Sequence, residues 1–287
     1  MSNKKFISVE GNDLQARLAV AQTLARTATR FWTAYKFPVR PNVSVDAVSL
    51  SSSGVSDGLR IITGNVGEHE TRSLGVFLLY GERELLRAEV YNLERDRDYE
   101  GWAVYWLGEV ESPESLALLS SLTGATRNEA VGGKLVEAIA LHESLQVEEL
   151  LSELTRSSPL VAVRATAVFC LGRFGQNLAL VEEVAGDRRE DMYVRQQAIM
   201  AIGKSRSPGA LDALRRLSGM VEGHVLREAI VNAVAKSRHP ESEELLKVFA
   251  EHSDDAALSR RARQQLEKAS GEKSRMKEAK RKAYSHR

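Results

Sequence analysis

After Gly11-Asn12-Asp13, the chain sets Leu14, Leu18, Ala21, Ala25, Ala28, Trp32 and Tyr35 at steps of three and four. Side chains so spaced share one face of an α-helix. Asn12 or Asp13 is placed to cap it by accepting a hydrogen bond from a free backbone N–H. Pro38 biases Phe37 away from helical angles, so the pattern predicts one helix over about 13–36. The period then falls to two. Val43, Val45 and Ala47 alternate with polar residues, as do Leu59, Ile61 and Thr63. Leu74, Val76, Leu78 and Tyr80 form a third such run, and Leu86, Ala88 and Val90 a fourth. Turn-forming stretches such as Ser51-Ser-Ser-Gly54, Gly64-Asn65 and Gly81-Glu-Arg separate them. This reads as a four-stranded antiparallel meander within about 43–92, covered by the long helix. Residues 1–97 are therefore expected to form a small α+β unit.

From about Asp98 the strand signal stops and a helical repeat begins. Trp106-Leu-Gly108, Ala140-Leu-His142, Cys170-Leu-Gly172, Ala201-Ile-Gly203 and Val234-Ala-Lys236 recur at offsets of 34, 30, 31 and 33 residues. A turn rich in Ser, Pro, Gly or Asn follows each marker. Next come a short helix, such as Leu211-Asp-Ala-Leu214, and a more apolar one. A period in the thirties built of two helices predicts an α-solenoid. About five helix pairs fit within 98–268, with Tyr99–Gly108 as the second helix of an incomplete first repeat. Residues 269–287 are left as a basic tail, expected to fray from Gly271 onward.

A second register supports the alignment. Val163-Arg164-Ala-Thr-Ala-Val, Val194-Arg195-Gln-Gln-Ala-Ile and Leu226-Arg227-Glu-Ala-Ile-Val are one phrase, and Arg260 fits its column. Acids precede it, as Asp187 and Asp191 do before Arg195. In this phrase, and in the Leu-Gly ending and Leu-rich short helix around it, the chain resembles HEAT-repeat proteins. It is closest in pattern to the short-period repeats first named for phycobilisome lyases. The resemblance covers roughly 98–268 and implies a right-handed solenoid. Trp102 and Gly133 stand in the arginine column of the first two repeats, so an arginine ladder is not expected there.

In each second helix, the residue after the arginine column and the one four further on are not needed between helices. These are Lys134, Gln196, Glu228 and Arg261, then Phe169, Met200, Asn232 and Gln265. They are expected to line a concave groove, apolar at Phe169 and Met200 and polar at its ends, as a partner-binding groove requires. The expected function is a non-catalytic scaffold binding a protein or peptide partner. A lyase-like enzyme or chaperone handling a chromophore, and nucleic-acid binding through the tail, are the alternatives.

Composition narrows these readings. Of 287 residues, 43% are hydrophobic, which suits a packed core. The net charge of +1 gives no whole-chain reason for nucleic acid. The balance is uneven, however: from Arg260 onward there are eleven basic residues and three acids. That tail could meet RNA, DNA or an anionic surface. From Leu14 to Lys36 the predicted first helix carries Arg17, Arg26, Arg30 and Lys36 and no acid, which also suits a membrane-surface or targeting helix. Glu10 and Asp13 break the place of a signal peptide's apolar core, and no apolar run of ~18 residues occurs, so a cytoplasmic protein is expected. No phosphate loop is present, and Gly132-Gly-Lys134 lacks the glycine spacing of one. His69-Glu70 and His142-Glu143 are too few for the four such pairs of HEAT-repeat di-iron hydroxylases. No metal, cofactor or catalytic residue is assigned. Cys170 lies in an apolar helix and is expected to be a buried thiol. Trp32, Trp102 and Trp106, with Phe31, Tyr35, Phe37, Tyr99 and Tyr105, are expected to seal the α+β unit onto the first repeat.

Overall fold

The computed structural model describes residues 6–41, 43, 73–82, 84–94, 97–237, 239–252 and 255–285, with side chains as far as 271, His252 excepted. The strands expected at 43–47 and 59–63 lie outside the described residues, apart from Val43. The chain divides into two compact units, Met1–Ala167 and Val168–Arg287. The change of sequence pattern near 97 is not where this division falls.

In the first unit the strands are β1 (Ile7–Ser8), β2 (Arg30–Lys36), β3 (Leu74–Gly81), β4 (Glu84–Asn92) and β5 (Val104–Glu109). Helix α1 (Leu14–Leu24) joins β1 to β2, and α2 (Ser112–Ala125), α3 (Glu129–Ala140) and α4 (Gln146–Ser157) follow the sheet. The sheet order is β1-β5-β2-β3-β4, with β1 and β2 parallel to β5, and β3 antiparallel to β2 and β4. A β-α-β crossover thus has β5 inserted between its two strands.

This corrects three expectations. The sheet is mixed and five-stranded among the described residues, not four antiparallel strands. The helix predicted over 13–36 ends at Leu24, and its second half is strand β2. Tyr99–Gly108 holds most of β5 and no helix. The reason is common to both misread segments. Phe31 to Tyr35 are all buried, so β2 shows none of the alternation of a half-exposed strand. Its Trp32 and Tyr35 then fall by chance at helical spacing from Ala25 and Ala28. The hairpin β3–β4 follows the expected alternation region, with Glu82 in the left-handed conformation at its turn (φ 52°).

Asp13 does cap α1, its carboxylate accepting from the Ala16 N–H at 2.7 Å. Two of the four cations that suggest a membrane-surface helix have partners within the protein. Arg17 lies 3.6 Å from Glu114 and donates to the Leu107 carbonyl, while Lys36 pairs with Glu109 at 2.9 Å.

The segment after β2 runs along the end of α3. Val39 bridges His142, and the Arg40 N–H donates to the Leu141 carbonyl at 2.9 Å. Phe37 stacks on the His142 ring at 4.2 Å. His142 Nδ1 lies 2.8 Å from the Ala138 carbonyl, which only accepts, so Nδ1 carries the proton. Nε2, 2.7 Å from Ser115 Oγ, therefore accepts from that hydroxyl. Ser115 Oγ is left to accept from Tyr35 Oη at 3.0 Å. All three side chains are buried, and this chain satisfies their polar atoms without water. The expected aromatic seal is thus made by Tyr35 and Phe37.

The tryptophans sit on the opposite side of β2. Trp32, Phe77, Tyr91 and Tyr99 surround the Arg97 guanidinium, at 4.5, 5.0, 4.9 and 5.4 Å from the ring centres. Trp102 and Trp106 pack beside them, half-buried. Arg97 also pairs with Glu89, and both side chains are less than a tenth exposed. Cation–π attraction strengthens when the cation is desolvated.

The second unit continues α5 (Val161–Arg173) with α6 (Leu178–Gly186), α7 (Met192–Lys204), α8 (Ala210–Met220), α9 (His224–Lys236), α10 (Ser242–His252) and α11 (Ala256–Ser285). From α2 to α11 the helices fall into five successive pairs. The second helices begin at 129, 161, 192, 224 and 256, a steady period. Helix α11 runs through Gly271 to Ser285 rather than fraying there. One glycine costs a helix only about 1 kcal/mol, and the Glu, Lys, Arg and Ala around it are strong helix formers.

Two outcomes follow for the first unit. Burial holds the His142 pKa down at about 4, although the Ala138 and Ile139 carbonyls favour the charged ring. Its ordinary value near 6.5 returns on unfolding. Above pH 6.5 the ring is neutral in both states and adds nothing. As pH falls toward 4 the unfolded chain binds a proton that the folded chain refuses, so stability is lost. Between pH 7.5 and 4.5, urea unfolding should show the wild type losing roughly 2–3 kcal/mol more than His142→Gln. Equal losses would contradict the neutral buried ring. Arg97→Ala should destabilise by about 2–4 kcal/mol, because Glu89 is left buried with Arg87 at 3.9 Å as its nearest cation. Arg97→Lys keeps the charge and should cost clearly less in the same titration.

Candidate binding groove

The arginine column acts first on local geometry. The last carbonyls of a helix have no intrahelical donor and favour a nearby cation. Arg195 Nε donates to the Ala185 carbonyl in the last turn of α6 at 3.1 Å. Arg227 Nε reaches Val221, just beyond α8, at 3.3 Å, and Arg164 reaches Ser158, just beyond α4, at 2.8 Å. In the last pair Ser259, not Arg260, holds this position, its hydroxyl donating to the Phe249 carbonyl at 3.1 Å. Arg263, one turn later, donates twice to Ala250 at 3.2 and 3.0 Å. The alignment that placed Arg260 in the column is therefore one residue out. Of the acids before Arg195, Asp191 caps α7 by accepting from Tyr193 N–H at 2.8 Å, while Asp187 accepts from Arg189 N–H in the turn; Asp255 likewise accepts from Ala257 and Leu258 at the start of α11.

With the arginines committed to the first helices, the second helices meet through small residues. A Cβ on Gly203 of α7 would stand 2.6 Å from the Ala233 carbonyl oxygen of α9. A Cβ on Gly172 would stand 2.7 Å from the Ala201 Cβ. The marker glycines are thus contact points where a side chain has no room. Along α7 and α9 this packing leaves a cleft of about 310 Å³. Gln196, Met200 and Lys204 line it from α7, and Glu228, Asn232 and Lys236 from α9.

Four of the eight sequence-predicted positions therefore come together: Gln196, Met200, Glu228 and Asn232. Gln265 adjoins them, its amide donating to Asn232 Oδ1 at 2.9 Å. Arg261 in the same helix donates to Gln264 at 3.3 Å. Phe169 does not line the cleft. It is buried, with Lys204 Nζ 4.8 Å from its ring centre. Lys134 belongs to the first unit and pairs with Glu137 at 2.9 Å, so it lies outside the cleft too. Lys204 and Lys236 were not among the expected residues, although their period is visible in the sequence.

No metal-binding group of three or more His, Cys, Asp or Glu occurs among the described residues. His69 lies outside them. Both ring nitrogens of His142 are already engaged, and Cys170 is fully buried. No described helix is long and apolar enough to cross a membrane.

The close approach at Gly203 yields a stability test. Gly203→Ala presses a methyl on a backbone carbonyl that cannot swing aside, and should destabilise by roughly 1–3 kcal/mol. Gly219→Ala, in the open on α8 with nothing within 4 Å, should stabilise by about 0.5–1 kcal/mol through helix propensity. Urea titration of both variants checks the opposite signs.

A match to a known repeat family agrees with this arrangement. The family profile described as HEAT repeats matches residues 147–235, which contain α5 to α8 and all but one residue of α4 and of α9. No curated protein matches the sequence significantly. Among solved structures, human deoxyhypusine hydroxylase in complex with glycerol matches at 15% identity and a TM-score of 0.27. The match covers 51% of this chain and 60% of that one, so the chain spans under two thirds of its length. The helix pairs and their steady period agree with the HEAT-repeat match over residues 147–235.

Proposed function

We propose that the protein is a non-catalytic interaction scaffold whose α7–α9 cleft takes a segment of a partner protein. The observation that carries this reading is the convergence of Gln196, Met200, Glu228 and Asn232 on one cleft. These residues are free to face outward because Arg195 and Arg227 are committed to the first helices. HEAT repeats commonly mediate protein interactions, which agrees with it. Met200 is half-buried at the cleft wall, so it offers a partner apolar area that is covered only on binding.

The test is Met200→Glu. An exposed wall position should tolerate the carboxylate, with the urea midpoint changed by less than about 1 kcal/mol in stability. Affinity capture followed by mass spectrometry should then lose a partner that the wild type retains. A loss of several kcal/mol would show that Met200 is core, and unchanged capture would show that the cleft is not the binding surface. A chromophore absorbance in the purified protein would instead speak for the lyase-like reading. Nucleic acid released by salt would speak for the tail.

A further inference from the structure

We infer that the partner segment is acidic and extended, its carboxylates meeting a ladder of cations formed by Arg173, Lys204, Lys236 and Lys268. The inference rests on the scaffold reading above and adds the chemistry of its partner. The four cations are 31, 32 and 32 residues apart. Each is the thirteenth residue of its helix, α5, α7, α9 and α11 in turn. One cation thus stands at the same height on four successive second helices.

A local explanation exists for three of them, since a cation at a helix C-terminus is favoured by the dipole. It fails for Lys268, because α11 continues to Ser285. Nor are the two central lysines held by neighbouring acids. Neither Lys204 nor Lys236 has an ion pair among the described residues. The Lys204 ammonium is pushed below its ordinary range by partial withdrawal from water, then by repulsion from Arg173 and Lys236. The ammonium groups of Lys204 and Lys236 thus stand at the cleft without an acidic partner among the described residues.

The lining favours a peptide over a phosphodiester strand. Gln196 and Asn232 offer amides that donate and accept, as a peptide backbone requires. Met200 offers an apolar contact for the side chains between the acids, which a phosphodiester backbone lacks. Packed helices lie roughly 8–10 Å apart. An extended polyproline-type segment returns every third side chain to one side at ~9 Å. An acid at every third residue therefore matches the step of the ladder.

The probe is a fluorescein-labelled peptide of four Glu-Pro-Leu repeats, followed by anisotropy with the full chain. Saturable binding is expected, weaker when salt rises from ~50 to ~200 mM. The Lys204→Gln/Lys236→Gln double variant should weaken it about tenfold or more. Both lysines are exposed and have no ion pair among the described residues, so the urea midpoint should move only slightly. A peptide with Lys in place of Glu should not bind. No binding of the acidic peptide, or equal binding by the double variant, would overturn the inference. So would a short oligothymidine that binds through the same lysines when the peptide does not. If Met200→Glu abolishes capture of a partner while the lysine variant leaves it intact, the cleft stands and only the acidic partner falls. If neither variant affects capture, both fall.

Discussion

The side chains that close each helix pair decide what its outer face is free to do. The last carbonyls of α4, α6 and α8, or the residues just beyond, are taken by Arg164, Arg195 and Arg227 from the helix that follows. A serine and a later arginine do the same at α10. A cation is well placed there, against the negative end of the helix dipole. Arg195 is almost wholly buried, so it serves the fold and not a ligand. Its neighbour Gln196, on the next side of the helix, looks into the cleft.

Close packing supplies the other half of the arrangement. Gly172 and Gly203 let the second helices approach until backbone and Cβ atoms touch. Longer side chains are then excluded from that line and mass beside it, where Met200 and Asn232 form the walls. The cleft is a consequence of which positions must be small.

Legibility in the sequence followed exposure. The helix pairs were readable because each is apolar on one side and repeats with a steady period. Four cleft residues could be named because they sit one and five places after a recognisable arginine. Strand β2 was not readable: buried on both faces, it carries no alternation, and its aromatics continued the stripe of α1 by accident. Strand β5 failed alike, since Val104, Tyr105 and Leu107 are buried on both its faces. Phe169 was misplaced because the phrase around Arg164 cannot show that Lys204, from the second helix of the next pair, lies over it. The Tyr35–Ser115–His142 chain joins residues far apart in sequence, and no local pattern announces it.

The central claim is that a partner is received between α7 and α9. Methyl-labelled methionine NMR addresses it directly, because Met200 lines the cleft while Met192 and Met220 are exposed elsewhere in the same unit. During titration with a captured partner, the Met200 methyl signal should shift and the Met192 and Met220 signals should stay in place. Movement of Met192 or Met220 with Met200 unchanged would contradict the account.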